Sequence, residues 1–109
     1  MVNMEDFLKL DLRVGKITSV EDHEKTRKPM YKVTVDLGKE LGQRNLVAGI
    51  KGVYTKEELL GRLIVCVANM DPKEIAGYVS NGMLLAAENE GKISLLTVDK
   101  EVVLGSKVR

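Results

Sequence analysis

From Tyr31 to Leu37 apolar and polar side chains alternate without a break: Tyr31, Val33, Val35 and Leu37 against Lys32, Thr34 and Asp36. A helix, repeating every 3.6 residues, cannot gather those four apolar residues on one face, whereas a strand with its period of two does so. The run therefore predicts a strand with one wet face. A second run, Leu63-Ile64-Val65-Cys66-Val67-Ala68, is apolar throughout and predicts a strand buried on both faces. With no Trp and one Phe, the core must be built mainly from Val, Leu and Ile, which favour pleated sheet.

The remaining elements follow from local signals. Asn3 can cap a short helix running to Lys9, with Glu5 and Asp6 favourable at its positive end. A first strand is expected over Leu12 to Asp22. Its apolar pattern changes phase near Gly15, with Leu12 and Val14 on one face and Ile17 on the other, which predicts a bulge and a bend at the glycine. Glu24 to Pro29 reads as a polar loop, Gly38 to Gly42 as a turn, and Asn45 to Ile50 as a third strand. Thr55-Lys56-Glu57-Glu58 has the spacing of a capping box, Leu59 and Leu60 follow, and Gly61 suits a helix stop. Met83 to Ala87 and Lys92 to Thr97 predict a hairpin across Asn89-Glu90-Gly91. Val98 to Arg109 reads as a tail with a turn at Gly105. The order is that of an all-β, five-stranded oligonucleotide-binding barrel, with a short helix between strands three and four and extensions at both ends. Residues 1–109 show no repeat or linker and are expected to form one domain.

Several functional classes lack their residues. His23 is the single histidine and Cys66 the single cysteine, so no intramolecular disulfide can form and no second His or Cys completes a zinc set. His23 reads as a loop residue at the end of the first strand, and Cys66 as a buried thiol. Ser80 has no Gly-x-Ser-x-Gly setting, neither phosphate-loop pattern occurs, and no catalytic group or cofactor is implied. Gly49-Ile50-Lys51-Gly52 resembles the Gly-x-x-Gly loop of one RNA-binding class, but a strand rather than a helix precedes it. The amino terminus has no export signal and no run approaches a membrane span, so a cytoplasmic protein without membrane contact is expected.

Seventeen basic residues against sixteen acidic give a net charge of only +1, so any nucleic-acid binding must come from cations gathered on one face. Lys25, Arg27 and Lys28 share one loop, Lys32 projects from the next strand, and Arg44, Lys51 and Lys73 fall at strand ends or in loops. Interleaved acids make a plain solvated surface an equal alternative. Asn69-Met70-Asp71-Pro72 and Ser80-Asn81-Gly82-Met83 offer groups that bond bases or backbone, and the same residue types serve turns equally well.

Six strings in one order decide between these. Asp11-Leu12-Arg13-Val14-Gly15-Lys16-Ile17, Tyr31-Lys32-Val33-Thr34-Val35-Asp36-Leu37-Gly38 and Leu46-Val47-Ala48-Gly49-Ile50 are followed by Tyr54-Thr55-Lys56-Glu57-Glu58-Leu59-Leu60-Gly61, Val67-Ala68-Asn69-Met70 and Ser80-Asn81-Gly82-Met83-Leu84-Leu85-Ala86-Ala87. From about Phe7 to Val108 the chain closely resembles the tRNA-binding domain of free-standing structure-specific tRNA-binding proteins, of CsaA chaperones and of the methionyl-tRNA synthetase C-terminus. The resemblance implies a non-catalytic barrel, dimeric when it stands alone through its terminal segments, that binds the outer corner of tRNA by shape. It also implies a possible synthetase of the methionyl type as partner. Carried over by position, Arg44, Asn69, Ser80 and Met83 match the family's tRNA-contact motifs, and Lys28 and Lys51 lie in loops that often carry a cation. Ser80 and Asn69 would donate and accept hydrogen bonds, Met83 would pack, and the cations would meet phosphate. One string departs: His23-Glu24-Lys25-Thr26-Arg27-Lys28-Pro29-Met30 is longer than the usual tRNA-binder loop and looks like the chaperone branch. That branch would bind unfolded polypeptide in an apolar groove near Met30, Tyr54 and Tyr78.

Overall fold

A strand reads clearly in sequence when only one of its faces is dry, and the first strand departs from that condition. The computed structural model describes residues 1–109. A one-turn helix α1 (Met4–Phe7) is capped by Asn3, whose side chain accepts from the Asp6 N–H at 2.9 Å. Strand β1 (Leu12–Asp22) follows, then β2 (Tyr31–Asp36), a one-turn helix α2 (Gly38–Leu41) and β3 (Gln43–Ala48). Helix α3 (Lys56–Leu59) carries the expected capping box: the Thr55 hydroxyl accepts from the Glu58 N–H at 3.2 Å, and the Glu58 carboxylate accepts from the Thr55 N–H at 2.9 Å. Those bonds from Thr55, its backbone N–H foremost, hold the Glu58 carboxyl below its ordinary value.

β4 (Leu63–Val67) comes next, followed by a ribbon of β5 (Lys73–Ile75) and β6 (Tyr78–Ser80), the short β7 (Met83–Leu84), and a second ribbon of β8 (Ala86–Asn89) and β9 (Lys92–Leu95). The main sheet runs β3-β2-β1-β4-β7, antiparallel at every step. Its two ends meet: residues 80–81 run along the outer edge of β3, where the Asn81 N–H donates to the Asn45 carbonyl at 2.7 Å and the Val47 N–H donates to Ser80 Oγ at 3.0 Å. The sheet is thereby a nearly closed five-stranded barrel. No helix is long and apolar enough to cross a membrane.

β1 serves two partners. Leu12–Lys16 pairs with β4 and Lys16–Asp22 with β2. The expected bulge at Gly15 lies instead between Ile17 and Ser19. The apparent change of phase at Gly15 arises because both faces of the strand's first half are dry. Ile17 belongs to the barrel core with Tyr31, Val33, Val35, Leu37, Leu46, Ile64 and Cys66. Leu12 lies on the opposite face in a second cluster with Val65 and Val67, covered by Phe7, Leu85 and Val108. Gly15 is needed for close approach: a Cβ there would stand 2.6 Å from Val35 Cγ1 and 2.7 Å from Leu37 Cδ2. β4 repeats the pattern, Ile64 and Cys66 facing inward and Val65 and Val67 outward.

The tail is pinned. β2 leaves the edge of β1 at Lys16, and the carboxy-terminal segment takes the vacated place: Val14 N–H donates to Ser106 at 2.9 Å, Gly105 N–H to Val14 at 2.8 Å and Val108 N–H to Leu12 at 2.8 Å. Gly38 and Gly105 (φ +92° and +90°) lie back to back where this segment passes α2. A methyl group on Gly38 would collide with the Leu104 carbonyl oxygen, and one on Gly105 with that of Leu37.

Other boundaries shift. The third strand begins and ends two residues before its expected bounds, and the Gly38–Gly42 turn closes into a helical turn ended by Gly42 at φ +68°. The last hairpin is split: Met83–Leu84 pairs with β4, and only Ala86–Asn89 pairs with Lys92–Leu95. Ribbon β5–β6 was not expected, because its turn residues Ala76 and Gly77 (φ +50° and +85°) lack the Asn or Asp that normally announces such a turn.

Candidate nucleic-acid interface

Two regions of the barrel hold the candidate residues, one at an end of the β2–β3 pair and one along the closing seam. At the Tyr31↔Ala48 end lies the basic loop between β1 and β2. His23 shapes it. His23 lies in the loop directly after β1, as expected, but it is buried, 4% exposed, and not a plain surface residue. Its Nε2 lies 2.7 Å from the Ile75 carbonyl, which can only accept, so Nε2 carries the proton and donates. The His23 N–H also donates to the Met30 carbonyl at 3.0 Å, closing the loop. This ring therefore fastens the loop to ribbon β5–β6. Tyr78 of that ribbon stands 5.9 Å from the His23 ring, centre to centre, and takes Lys32 Nζ at 4.8 Å from its centroid. Burial of the Tyr78 phenol, then the nearby Glu21 charge, pushes its pKa up.

The cations near this end divide into two sets. Asp22 accepts from Lys51 at 2.9 Å and from Lys56 at 3.1 Å, one carboxylate holding two ammonium groups. Those bonds keep the Asp22 carboxyl below its usual value and raise Lys56 above its own. Lys51, singled out for phosphate, is thus already paired. Lys28 is exposed, and neither it nor Lys25, Arg27, Lys32 or Lys73 has a carboxylate within 4.0 Å. These unpaired cations sit on the loop, on the outward row of β2 and on the ribbon that His23 joins to the loop.

Along the seam, from Arg44 near the Asp36↔Gln43 end to Ser80 beside Val47, lie Arg44, Asn69, Ser80 and Met83, around the last residues of β4 and the closing edge. Arg44 is half-buried and its Nη1 donates to the Ala68 carbonyl at 2.7 Å, linking β3 to the end of β4. Asn69 is spent at both ends of its amide: Oδ1 accepts from the Asp11 N–H at 2.8 Å, and Nδ2 donates to the Lys9 carbonyl at 2.7 Å. Ser80 is 7% exposed; besides accepting from Val47, its Oγ lies 3.4 Å from the Gly82 carbonyl. Met83, opposite Val67, is 44% exposed and free to touch a ligand. Asn69 and Ser80 thus hold backbone around the site, each through one donated and one accepted bond, and Asn69 itself is exposed.

Met30, Tyr54 and Tyr78 are each half-buried rather than open. The Tyr54 hydroxyl accepts from the Leu95 N–H at 3.0 Å, fixing β9. A cleft of about 800 Å³ lies elsewhere, between α2 and the tail, with Arg13, Leu37, Leu41, Val103 and Leu104 in its wall. Cys66 is fully buried, and burial pushes its thiol up. Missed in the sequence are Asn81, whose side-chain amide has no partner in the chain, and Asn45, whose amide takes only a long bond from the Thr34 hydroxyl.

Known proteins share this chain's sequence pattern and fold. The family described as "Putative tRNA binding domain" matches residues 12–107. Methionine–tRNA ligase of Pyrococcus horikoshii is 56% identical over 108 residues, covering 99% of this chain and 14% of that protein. The chain spans only 14% to 16% of the length of such ligases. Among solved structures, the CsaA chaperone protein from Picrophilus torridus superposes with a TM-score of 0.93 at 37% identity, covering all of both chains. A MetRS related protein from Pyrococcus horikoshii gives 0.90 at 36%, covering 100% of this chain and 98% of that one.

Proposed function

Because this chain belongs to the tRNA-binding domain family, we propose that it binds folded tRNA by shape, without catalysis, as a cytoplasmic homodimer acting in trans with an aminoacyl-tRNA synthetase of the methionyl type. The reading takes residues 1–109 as one binding domain. The observation that carries it is the division of cations: Lys25, Arg27, Lys28, Lys32 and Lys73 are unpaired on joined elements, in a chain whose net charge is close to zero. Long cationic side chains left free of carboxylates suit phosphate. Pairing of subunits is supported by where the apolar surface lies. Eight of the thirteen exposed large apolar residues, Met1, Val2, Met4, Leu8, Leu10, Leu96, Val102 and Val103, lie on the terminal segments. Two copies of a modest basic patch on one rigid ligand raise apparent affinity well beyond that of one.

Titration of bulk tRNA at several salt concentrations tests this. Affinity should fall steeply with salt, and Arg27→Ala with Lys28→Ala should flatten the log–log slope by about two, one for each phosphate no longer neutralised. An unchanged slope removes the phosphate role. Equilibrium sedimentation should give twice the chain mass; a monomer at micromolar concentration removes the dimer.

A second reading is favoured by one observation, the likeness to a protein described as a CsaA chaperone. Unfolded polypeptide would then occupy the cleft between α2 and the tail. Competition separates the two: binding of an unfolded polypeptide that tRNA does not displace, with little salt dependence, would favour the chaperone.

A further inference from the structure

Hydrogen-bonding capacity at the closing seam is unevenly spent. Asn69 and Ser80 are already engaged, since each is bonded to backbone through both a donor and an acceptor. Asn81, between Ser80 and Met83, is different. Its backbone N–H is fixed to the Asn45 carbonyl, but its side-chain amide has no partner within the chain and is half-exposed. Its direction follows from its neighbours. Ser80 is buried, and a Cβ on Gly82 would point at Leu46 Cδ2 (2.8 Å) and Cys66 Sγ (3.1 Å), both in the core. Asn81, half-exposed between Ser80 and Gly82, and Met83, exposed opposite the outward Val67, lie on the outer side. On β3, Leu46 points inward, so its neighbour Asn45 points outward; it is exposed, and its single contact is a long 3.4 Å one from the Thr34 hydroxyl. Two outward amides thus lie where β3 meets the segment after β6, joined through the Asn81 N–H to Asn45 carbonyl bond, with the exposed Met83 two residues further on.

A carboxamide offers a donor and an acceptor in one plane, which is the pattern of a nucleobase edge. Unstacked bases of RNA are read along such edges while an apolar or polarisable group supports the face. Resting on the tRNA-binding reading, we propose that Asn45 and Asn81 form a base-reading pair that grips one unstacked nucleotide of the bound RNA, with Met83 against its face. Recognition is then not by shape alone: the rigid body of the RNA is held by cations, and one unpaired base is held by its edge.

The test uses the full chain, bulk tRNA, and a fully paired RNA duplex of matching length and charge. Asn81→Ala and Asn45→Ala should each weaken tRNA binding about tenfold. Neither removes a charge, so the salt slope should stay that of the unaltered chain. Affinity for the duplex, which has no unstacked base, should not change. Melting curves confirm that each variant folds, and the two variants report on different strands. Binding of tRNA within twofold of the unaltered chain by both variants overturns the base-reading pair and leaves the phosphate contacts standing. Equal losses on tRNA and duplex overturn it too, since the amides would then act on the backbone. If the unaltered chain binds no tRNA, both proposals fall together.

Discussion

The two outer faces of this barrel are finished differently. Over β1 and β4, Leu12, Val65 and Val67 are sealed beneath Phe7, Leu85 and Val108, and the tail is bonded to the strand edge. Over β2 and β3 the outward residues are Lys32, Thr34, Asp36, Asn45 and Val47, and no terminal segment covers them. The sheet is continuous between the two, so the difference comes from the outward side chains alone. A face of branched aliphatics must be covered to lower its contact with water, whereas a face of amides, hydroxyls and cations stays solvated at no cost. Structure is invested in one half and binding capacity in the other.

That contrast gives an order of expected effects. Leu12→Ala, which empties the sealed cluster, should cost about 3 kcal/mol of unfolding free energy in urea titration. A loss below about 1 kcal/mol would show that the terminal cover is loose. Gly105→Ala should cost about 2 kcal/mol, from the positive φ and the collision with the Leu37 carbonyl. Hydrogen exchange should then show the Val14 and Val108 amides losing protection first. Ser80→Ala sits between the halves; it leaves the half-buried Val47 N–H without its acceptor and should lower stability by about 1 kcal/mol in thermal unfolding.

Acid gives a smaller effect, read through Asp22 and Glu58. Both carboxyls are lowered in the folded chain, so their contribution is full above the unfolded carboxylate value and is lost as pH falls through the folded one. Below about pH 4 the chain should therefore lose stability, and Asp22→Asn should show less of that loss in a urea midpoint series. Lys56 is raised, so its part is present below the ordinary lysine value and lost only in strong alkali. Smallest of all, Thr34→Ala on the open face should change stability by less than about 0.5 kcal/mol. A larger change would mean that the open face carries structure after all.

The same contrast governed what could be read in advance. β2 was legible because its wet face marks the period. The first half of β1 carries apolar groups on both faces, so its alternation was mistaken for a bend at Gly15. The core of β4, the capping box at Thr55 and the turn at Glu90-Gly91 (φ +50° and +81°) are local, and all three appear as expected. Site residues were legible as types but not as bonded atoms. Asn69 is engaged by a residue 58 positions away and Ser80 by one 33 away, and nothing local records that their polar atoms are occupied. Burial of His23 depends likewise on Ile75, across a ribbon whose turn gave no signal.

Backbone edges are where sheets recruit foreign strands. In this barrel the outer margin of β3 is occupied by residues 80–81, and the stretch of β1 that β2 abandons is occupied by residues 105–108. Little open ladder is left for another chain to extend, apart from the short margins of the ribbons. Stacking into fibres by strand addition is thereby discouraged, and copies that associate must do so through side chains.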